Sequence, residues 1–108
     1  MNDNRIQQLL SFIQEQPDEP FNVYALAMEY LEEQPGQALH YLEMLLEQHP
    51  HYLPTYYQAA TFYAAQGDRS KADMLFQRGL ELARDQGNDK TFQELNRAYR
   101  AFQDEDAW

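Results

Sequence analysis

The sequence contains no cysteine, which excludes disulfide bonds, thiolate nucleophiles and cysteine-ligated zinc together. No sustained alternation of β-branched residues occurs, so strands are not predicted. No apolar run approaches the ~20 residues that span a bilayer, so we expect no membrane partner. The first eight residues lack a basic stretch followed by an apolar one, so no secretory signal is predicted and a cytoplasmic protein is expected.

Basic residues are scarce: 8 Lys and Arg stand against 18 Asp and Glu, for a net charge of −10. Such a charge repels phosphate backbones, so nucleic acid is not a predicted partner. The imbalance is concentrated in residues 1–54, which hold nine acids and one base, whereas residues 55–103 hold six acids and seven bases.

What the sequence does have is helical periodicity. Ile6, Leu9, Leu10 and Ile13 follow the i, i+3, i+4, i+7 spacing of one helix face. The same pattern, with glycine and proline as punctuation, predicts an all-α fold of six antiparallel helices. Their predicted bounds are about 4–15, 20–33, 36–48, 54–65, 68–86 and 88–103.

Helices two and three repeat in helices four and five. Small and aromatic positions recur 33 or 34 residues later, and the one-residue difference falls in a turn. Such a period is typical of a helix–turn–helix solenoid. The matching pairs are Ala27 with Ala60, Tyr30 with Tyr63, Ala38 with Ala72, and Leu42 with Phe76.

The pattern Tyr56, Ala59-Ala60, Tyr63, Ala72 and Phe76 resembles the tetratricopeptide repeat family. The resemblance implies a right-handed helical solenoid forming one domain over 1–103. Its parts would be a half-repeat at 4–15, full repeats at 20–50 and 53–86, a capping helix at 88–103, and an acidic tail at 104–108.

Two positions depart from the family pattern. Arg84 replaces a proline, so the fifth helix should run on to about 86, and Gly79 replaces an alanine, which predicts a close helix approach.

In this family the first helix of each repeat lines a concave groove. The resemblance therefore implies a non-catalytic module that binds a protein, as a peptide or helix. The groove would be aromatic and apolar at one end and basic at the other, and would suit a partner with an apolar face and an acidic residue. The alternative for Phe21, Tyr24 and Met28 is burial under the first helix. The predicted groove residues are Phe21, Tyr24, Met28, Leu31, Tyr57, Thr61, Lys90, Gln93, Arg97 and Arg100. Ala64 is predicted to lie on the same face of the fourth helix as Tyr57 and Thr61.

Some relatives clamp the C-terminal carboxylate of a chaperone through Lys and Asn residues on these faces. Here Tyr24, Met28 and Gln58 occupy three of those places, and only Lys90 is of the matching type. We therefore do not expect that ligand.

Catalytic candidates are few. Ser11 and Ser70 are the only serines, and no glycine-rich phosphate loop is present. His49 and His51 flank Pro50 near Glu47, but histidines at helix ends are more often structural or solvated than metal ligands. We predict no enzyme activity, no metal and no cofactor.

Two questions stay open about contacts within the chain and between copies of it. The tail 104–108 is either a solvated end or docks Trp108 in the groove of the same or a neighbouring chain. The chain itself is either an adaptor or a homo-oligomerising module, for example a homodimer, because two full repeats are fewer than the three that usually make a stable stack.

Overall fold

The computed structural model describes residues 2–106, with only the backbone of Asp106. These residues form six α-helices and no strand, which confirms the all-α prediction. They divide into two compact units, Met1–Thr55 and Tyr56–Trp108. The helices are α1 (Asp3–Glu15), α2 (Pro20–Tyr30), α3 (Pro35–Gln48), α4 (Pro54–Ala65), α5 (Arg69–Asp85) and α6 (Asp89–Asp106).

Short polar side chains cap the starts of α1, α5 and α6. The Asn2 side chain accepts a hydrogen bond from the backbone N–H of Arg5 at 3.0 Å. The Asp68 side chain accepts from the N–H of Lys71 at 3.2 Å, and the Asn88 side chain accepts from the N–H of the third residue of α6 at 3.0 Å. Because the first N–H groups of a helix lack intrahelical partners, these caps fix where each helix begins.

The turns after α4 and α5 share one design. Gly67 and Gly87 have φ angles of 84° and 68°, in the left-handed region that favours glycine. The residue after each glycine donates its N–H back to the preceding helix, Asp68 to Tyr63 O and Asn88 to Ala83 O. That same residue then caps the next helix. A Gly-Asp or Gly-Asn pair thus ends one helix and begins the next.

α2 ends at Tyr30, three residues before its predicted end, and residues 31–33 form a turn. Gln34 then has a non-helical φ of −134°, since Pro35 disfavours helical backbone at the residue before it. The break between α2 and α3 falls at Gln34, close to where Gln34-Pro35-Gly36 predicts it, and Pro35 is the first residue of α3, where its missing N–H is not needed.

In the first unit, α1 packs on α2 and α2 on α3. A buried cluster of Ile6, Leu9 and Leu26 joins α1 to α2. Tyr30 and Tyr41 lie against this cluster, and their rings stack nearly parallel with centroids 6.0 Å apart. The apolar stripe predicted for the first helix is therefore the side that packs.

In the second unit, α5 packs on α6 through a triangle of aromatic rings. The centroid of Phe76 lies 5.4 Å from those of both Tyr99 and Phe102. Leu95 is fully buried one turn before Tyr99. The α6 stripe predicted from the sequence therefore forms the buried side of that helix.

Burial follows the repeat. Ala27 and Ala60 are both completely buried, as are Ala38 and Ala72, although each pair is split between the two units. The prediction that α5 would continue past Arg84 is confirmed, since α5 ends at Asp85.

No helix within residues 2–106 is long and apolar enough to cross a membrane. The two alternatives for the tail, a solvated end or docking of Trp108 in a groove, concern a residue outside those that the structure describes.

Candidate partner-binding groove

α4 buries one side and exposes the other. Ala59 and Ala60 are completely buried, whereas Tyr57 is 39% exposed and Thr61 is half-buried. Tyr57, Thr61 and Ala64 follow the i, i+4, i+7 spacing that places them on one face. The Thr61 hydroxyl donates to the backbone oxygen of Tyr57 at 2.9 Å, so this side chain is satisfied within its own helix.

That face forms one wall of a depression of about 370 Å³ within the second unit. α6 supplies the opposite wall, and the ring of buried Phe76 from α5 contributes to the lining. A neighbouring depression of about 240 Å³ shares Tyr57, Ala98 and Ala101 with the first. We call both together the α4–α6 groove. Its lining residues are Tyr57, Thr61, Ala64, Ala65, Phe76, Glu94, Arg97, Ala98, Ala101, Phe102 and Glu105.

Small side chains keep this groove open. Four alanines contribute to its walls, and an alanine leaves unfilled the volume that a leucine would occupy. The rings of Phe76 and Phe102 are buried, and both contact the ring of Tyr99. The groove therefore combines alanine-rich walls with one exposed aromatic ring, that of Tyr57 on α4.

Charge lies at the two ends of the groove. Glu94 and Arg97 line the end that includes Tyr57, and Glu105 lines the end that includes Ala65. Glu94 and Glu105 are eleven residues apart on α6, a separation of roughly 16 Å along the helix axis. Two carboxylates and one guanidinium thus border an apolar middle.

The predicted residues of α6 divide into two groups. Lys90, Gln93, Arg97 and Arg100 are all exposed, and of the four the groove lining includes Arg97. The remaining lining residues of α6 fall on a neighbouring face, one that sequence analysis missed. The missed residues are Glu94, Ala98, Ala101 and Glu105.

The predicted residues of α2 lie in the first unit. Phe21 is 56% exposed, so the alternative that it is buried under α1 is wrong. Tyr24 is half-buried, with its ring edge-on to Tyr52 at 5.8 Å. Burial of the Tyr52 side chain raises its pKa above the usual value, and the neighbouring Tyr24 and Glu19 raise this pKa further.

Met28 and Leu31 share a depression of about 460 Å³ in the first unit. Both side chains are half-buried. Three carboxylates, those of Glu29, Glu32 and Glu33, line the same depression. Arg5 lies 3.5 Å from Glu29, which partly offsets the negative charge there.

The candidates for chemistry are scattered. Ser11 and Ser70 are exposed, His49 is half-buried, and His51 is exposed. Within residues 2–106, no group of three or more histidine, aspartate or glutamate side chains is arranged to hold a metal ion.

Repeated pairs of amphipathic helices joined by short turns define a helical-repeat protein. The model of the tetratricopeptide repeat family matches residues 29–94, which is more than half of the chain. This chain belongs to the tetratricopeptide repeat family. Members of the family generally serve as protein–protein interaction modules.

Solved structures agree with that assignment. One is a crystal structure of a tetratricopeptide repeat domain protein from Salinibacter ruber, with 34% sequence identity and a TM-score of 0.75. The match covers 79% of this chain and 96% of that protein's chain. A solution structure of a tetratricopeptide repeat domain protein from the same organism is 34% identical, with coverages of 81% and 89% and a TM-score of 0.74. A Bordetella parapertussis protein is 27% identical, with coverages of 94% and 90% and a TM-score of 0.78. No curated protein sequence matches the chain.

Proposed function

We propose that this chain is a non-catalytic interaction module that binds a peptide or helix of a partner protein in the α4–α6 groove. The observation that carries the proposal is Tyr57, an exposed aromatic ring on the wall of an open apolar groove. Large rings at the edge of an apolar depression are the side chains that dominate the energy of many protein interfaces.

The groove has the properties that a peptide site needs. Its walls are formed by helices, so the site is largely formed before binding and little ordering opposes association. The Thr61 hydroxyl is already satisfied, so covering it leaves no donor without an acceptor. An apolar side chain of the partner would fill the space beside Ala98 and Ala101 and contact Phe76 and Phe102.

The proposal extends to other predicted residues as separate contact surfaces. Phe21, Tyr24, Met28 and Leu31 form a candidate surface on α2 and the turn after it, within the first unit. Lys90, Gln93 and Arg100 are exposed residues of α6 that a longer partner could reach. Substitution in each group tests whether it contributes.

The test uses peptides selected for binding to the wild-type protein by display. Tyr57→Ala should weaken the selected peptides by about 10- to 100-fold, because hot-spot side chains typically contribute ~2 kcal/mol or more. Met74→Ala is the matched control, since Met74 is 37% exposed on α5 of the same unit and is not among the groove residues. Circular dichroism should show both variants folded. Selected peptides that bind Tyr57→Ala and Met74→Ala equally well would refute the groove.

A second candidate is self-assembly, and exposed aromatic side chains favour it. Phe12 on α1 and Phe21 on α2 are 41% and 56% exposed in the first unit. Sedimentation at several concentrations should then give a mass that rises with concentration, and Phe12→Ser or Phe21→Ser should lower it. A constant monomer mass would exclude this alternative.

A further inference from the structure

The charges at the groove indicate what kind of segment it binds, provided that the groove is the binding site proposed above. Sequence analysis placed a basic face of α6 at the groove and expected an acidic partner. The lining instead includes Glu94 and Glu105, with Arg97 as the single cation. Arg97 lies three residues from Glu94 at the same end, so the two offset each other there. Glu105 at the other end has no such neighbour in the lining.

The end of α6 adds negative potential at that place. A helix C-terminus carries a partial negative charge, so carboxylates in the last turn are unfavourable and cations are favourable. The last turn of α6 nevertheless contains Asp104 and Glu105 and no basic residue. Asp106 follows them in the sequence. This local conflict between sequence and helix is the kind expected at a functional site.

One internal cation partly relieves the conflict. Arg69 donates from its guanidinium to the backbone oxygen of Phe102 at 2.7 Å and lies 4.0 Å over the ring of that residue. It is thereby engaged on Phe102, two residues before Asp104 in the sequence. A cation supplied by a partner would complement Glu105 from the solvent side.

We propose that the α4–α6 groove binds a cationic amphipathic segment. One large apolar side chain enters between Ala64, Ala98 and Ala101. A lysine or arginine lies beyond it, at the end of the groove where Glu105 is found. The partner is thus a basic segment of a protein rather than an acidic one.

The test compares two short fluorescein-labelled peptides with identical apolar positions, one carrying lysine and the other glutamate at all charged positions. Fluorescence anisotropy should show the lysine peptide binding about 10-fold more tightly at low salt, with the preference falling as salt rises. Glu105→Gln should weaken the lysine peptide about three-fold, the range of a surface ion pair. Glu81→Gln, an exposed carboxylate on α5 of the same unit, is the matched control and should change affinity by less than about 1.5-fold.

The outcomes separate this inference from the proposed function. Equal effects of Glu105→Gln and Glu81→Gln would show a general field instead of a local contact, and would overturn the inference. Tighter binding of the glutamate peptide would also overturn it; if Tyr57→Ala weakened that binding, the groove itself would stand. If neither peptide binds, the inference fails, and the Tyr57 dependence of the display-selected peptides decides the proposed function separately.

Discussion

At the scale of single residues, Thr55 is a buried side chain with an unmet hydrogen bond. It lies in the first turn of α4 and is completely buried. Its hydroxyl has no hydrogen-bond partner in the part of the chain that the structure describes. A buried polar group without a partner is destabilising by about 1–3 kcal/mol relative to a satisfied one.

Thr55→Val removes that hydroxyl and keeps the branched shape. We expect the free energy of unfolding to rise by about 1 kcal/mol, because an unpaired group is replaced by a methyl of similar size. Thr61→Val is the control in the same helix, since the Thr61 hydroxyl is satisfied by Tyr57 and Gln58 oxygens, and it should not stabilise. Urea denaturation measures both. Destabilisation by Thr55→Val would mean that the hydroxyl does have a partner.

Gly79 is where the close helix approach predicted from the sequence occurs. A Cβ atom at this position would lie 2.8 Å from the Cβ of Tyr56 and 3.1 Å from Cδ1 of Leu95. α5 thus touches α4 and α6 at the same residue. The sequence predicted the approach, because glycine is otherwise unfavourable within a helix, but it could not identify the two neighbours.

Gly79→Ala should lower the free energy of unfolding by about 1–3 kcal/mol, because overpacking outweighs the better helix propensity of alanine. Gly36→Ala is the matched control, as nothing lies within 4 Å of the added Cβ. It should stabilise by about 0.4–1 kcal/mol. Thermal unfolding of the two variants should therefore move in opposite directions. A stabilising Gly79→Ala would show that α4 and α6 can move apart without penalty.

At the scale of elements, a polar clamp fastens α6 to α5. The Tyr99 hydroxyl donates to Oδ1 of Asp73 at 2.6 Å, and Nε2 of Gln77 donates to the other carboxylate oxygen at 2.7 Å. The hydrogen bond to Asp73, with a smaller effect of burial, raises the pKa of Tyr99 above its usual value of 10.0. Only the neutral phenol can donate this hydrogen bond.

The clamp predicts a pH dependence. Because the folded-state pKa of Tyr99 is raised, its stabilisation is fully present below pH 10.0 and is lost as the pH rises through the folded-state value. Tyr99→Phe should therefore be less stable than wild type by about 1 kcal/mol at pH 8, and this difference should vanish at high pH. Urea denaturation at pH 8 and at a pH above the folded-state pKa measures this difference in stability. Tyr57→Phe is the control for loss of an exposed hydroxyl. A difference that persists unchanged at high pH would contradict the role of the hydrogen bond.

Helix positions were largely predictable, and the exceptions have local causes. Caps such as Asp68 and turns such as Gly67-Asp68 are local signals that the sequence contains in full. α6 runs to Asp106, three residues past its predicted end at 103. Near this end Arg69 of α5 donates to the Phe102 oxygen, a contact between residues 33 positions apart. Sequence periodicity cannot show such a contact.

At the scale of the whole molecule, the repeat was predictable and the rotation of α6 was not. Ala27 and Ala60 recur because each lets two helices approach, and both are fully buried. For α6, the stripe ending in Phe102 identifies the buried side, but its spacing does not indicate which flank of the stripe faces α4. Which flank faces α4 depends on how the helices are placed in space. If one flank faces α4, Lys90 is a groove residue; if the other does, Ala98 is.

The central claim, that a partner segment occupies the α4–α6 groove, is tested most directly by methyl NMR. Alanine and methionine methyl signals would be followed while a display-selected peptide is added. We predict that the methyls of Ala64, Ala98 and Ala101 shift together and saturate, while the exposed methyl of Met74 on α5 stays unchanged. Binding that shifts Met74 and leaves Ala98 and Ala101 unmoved would contradict the account.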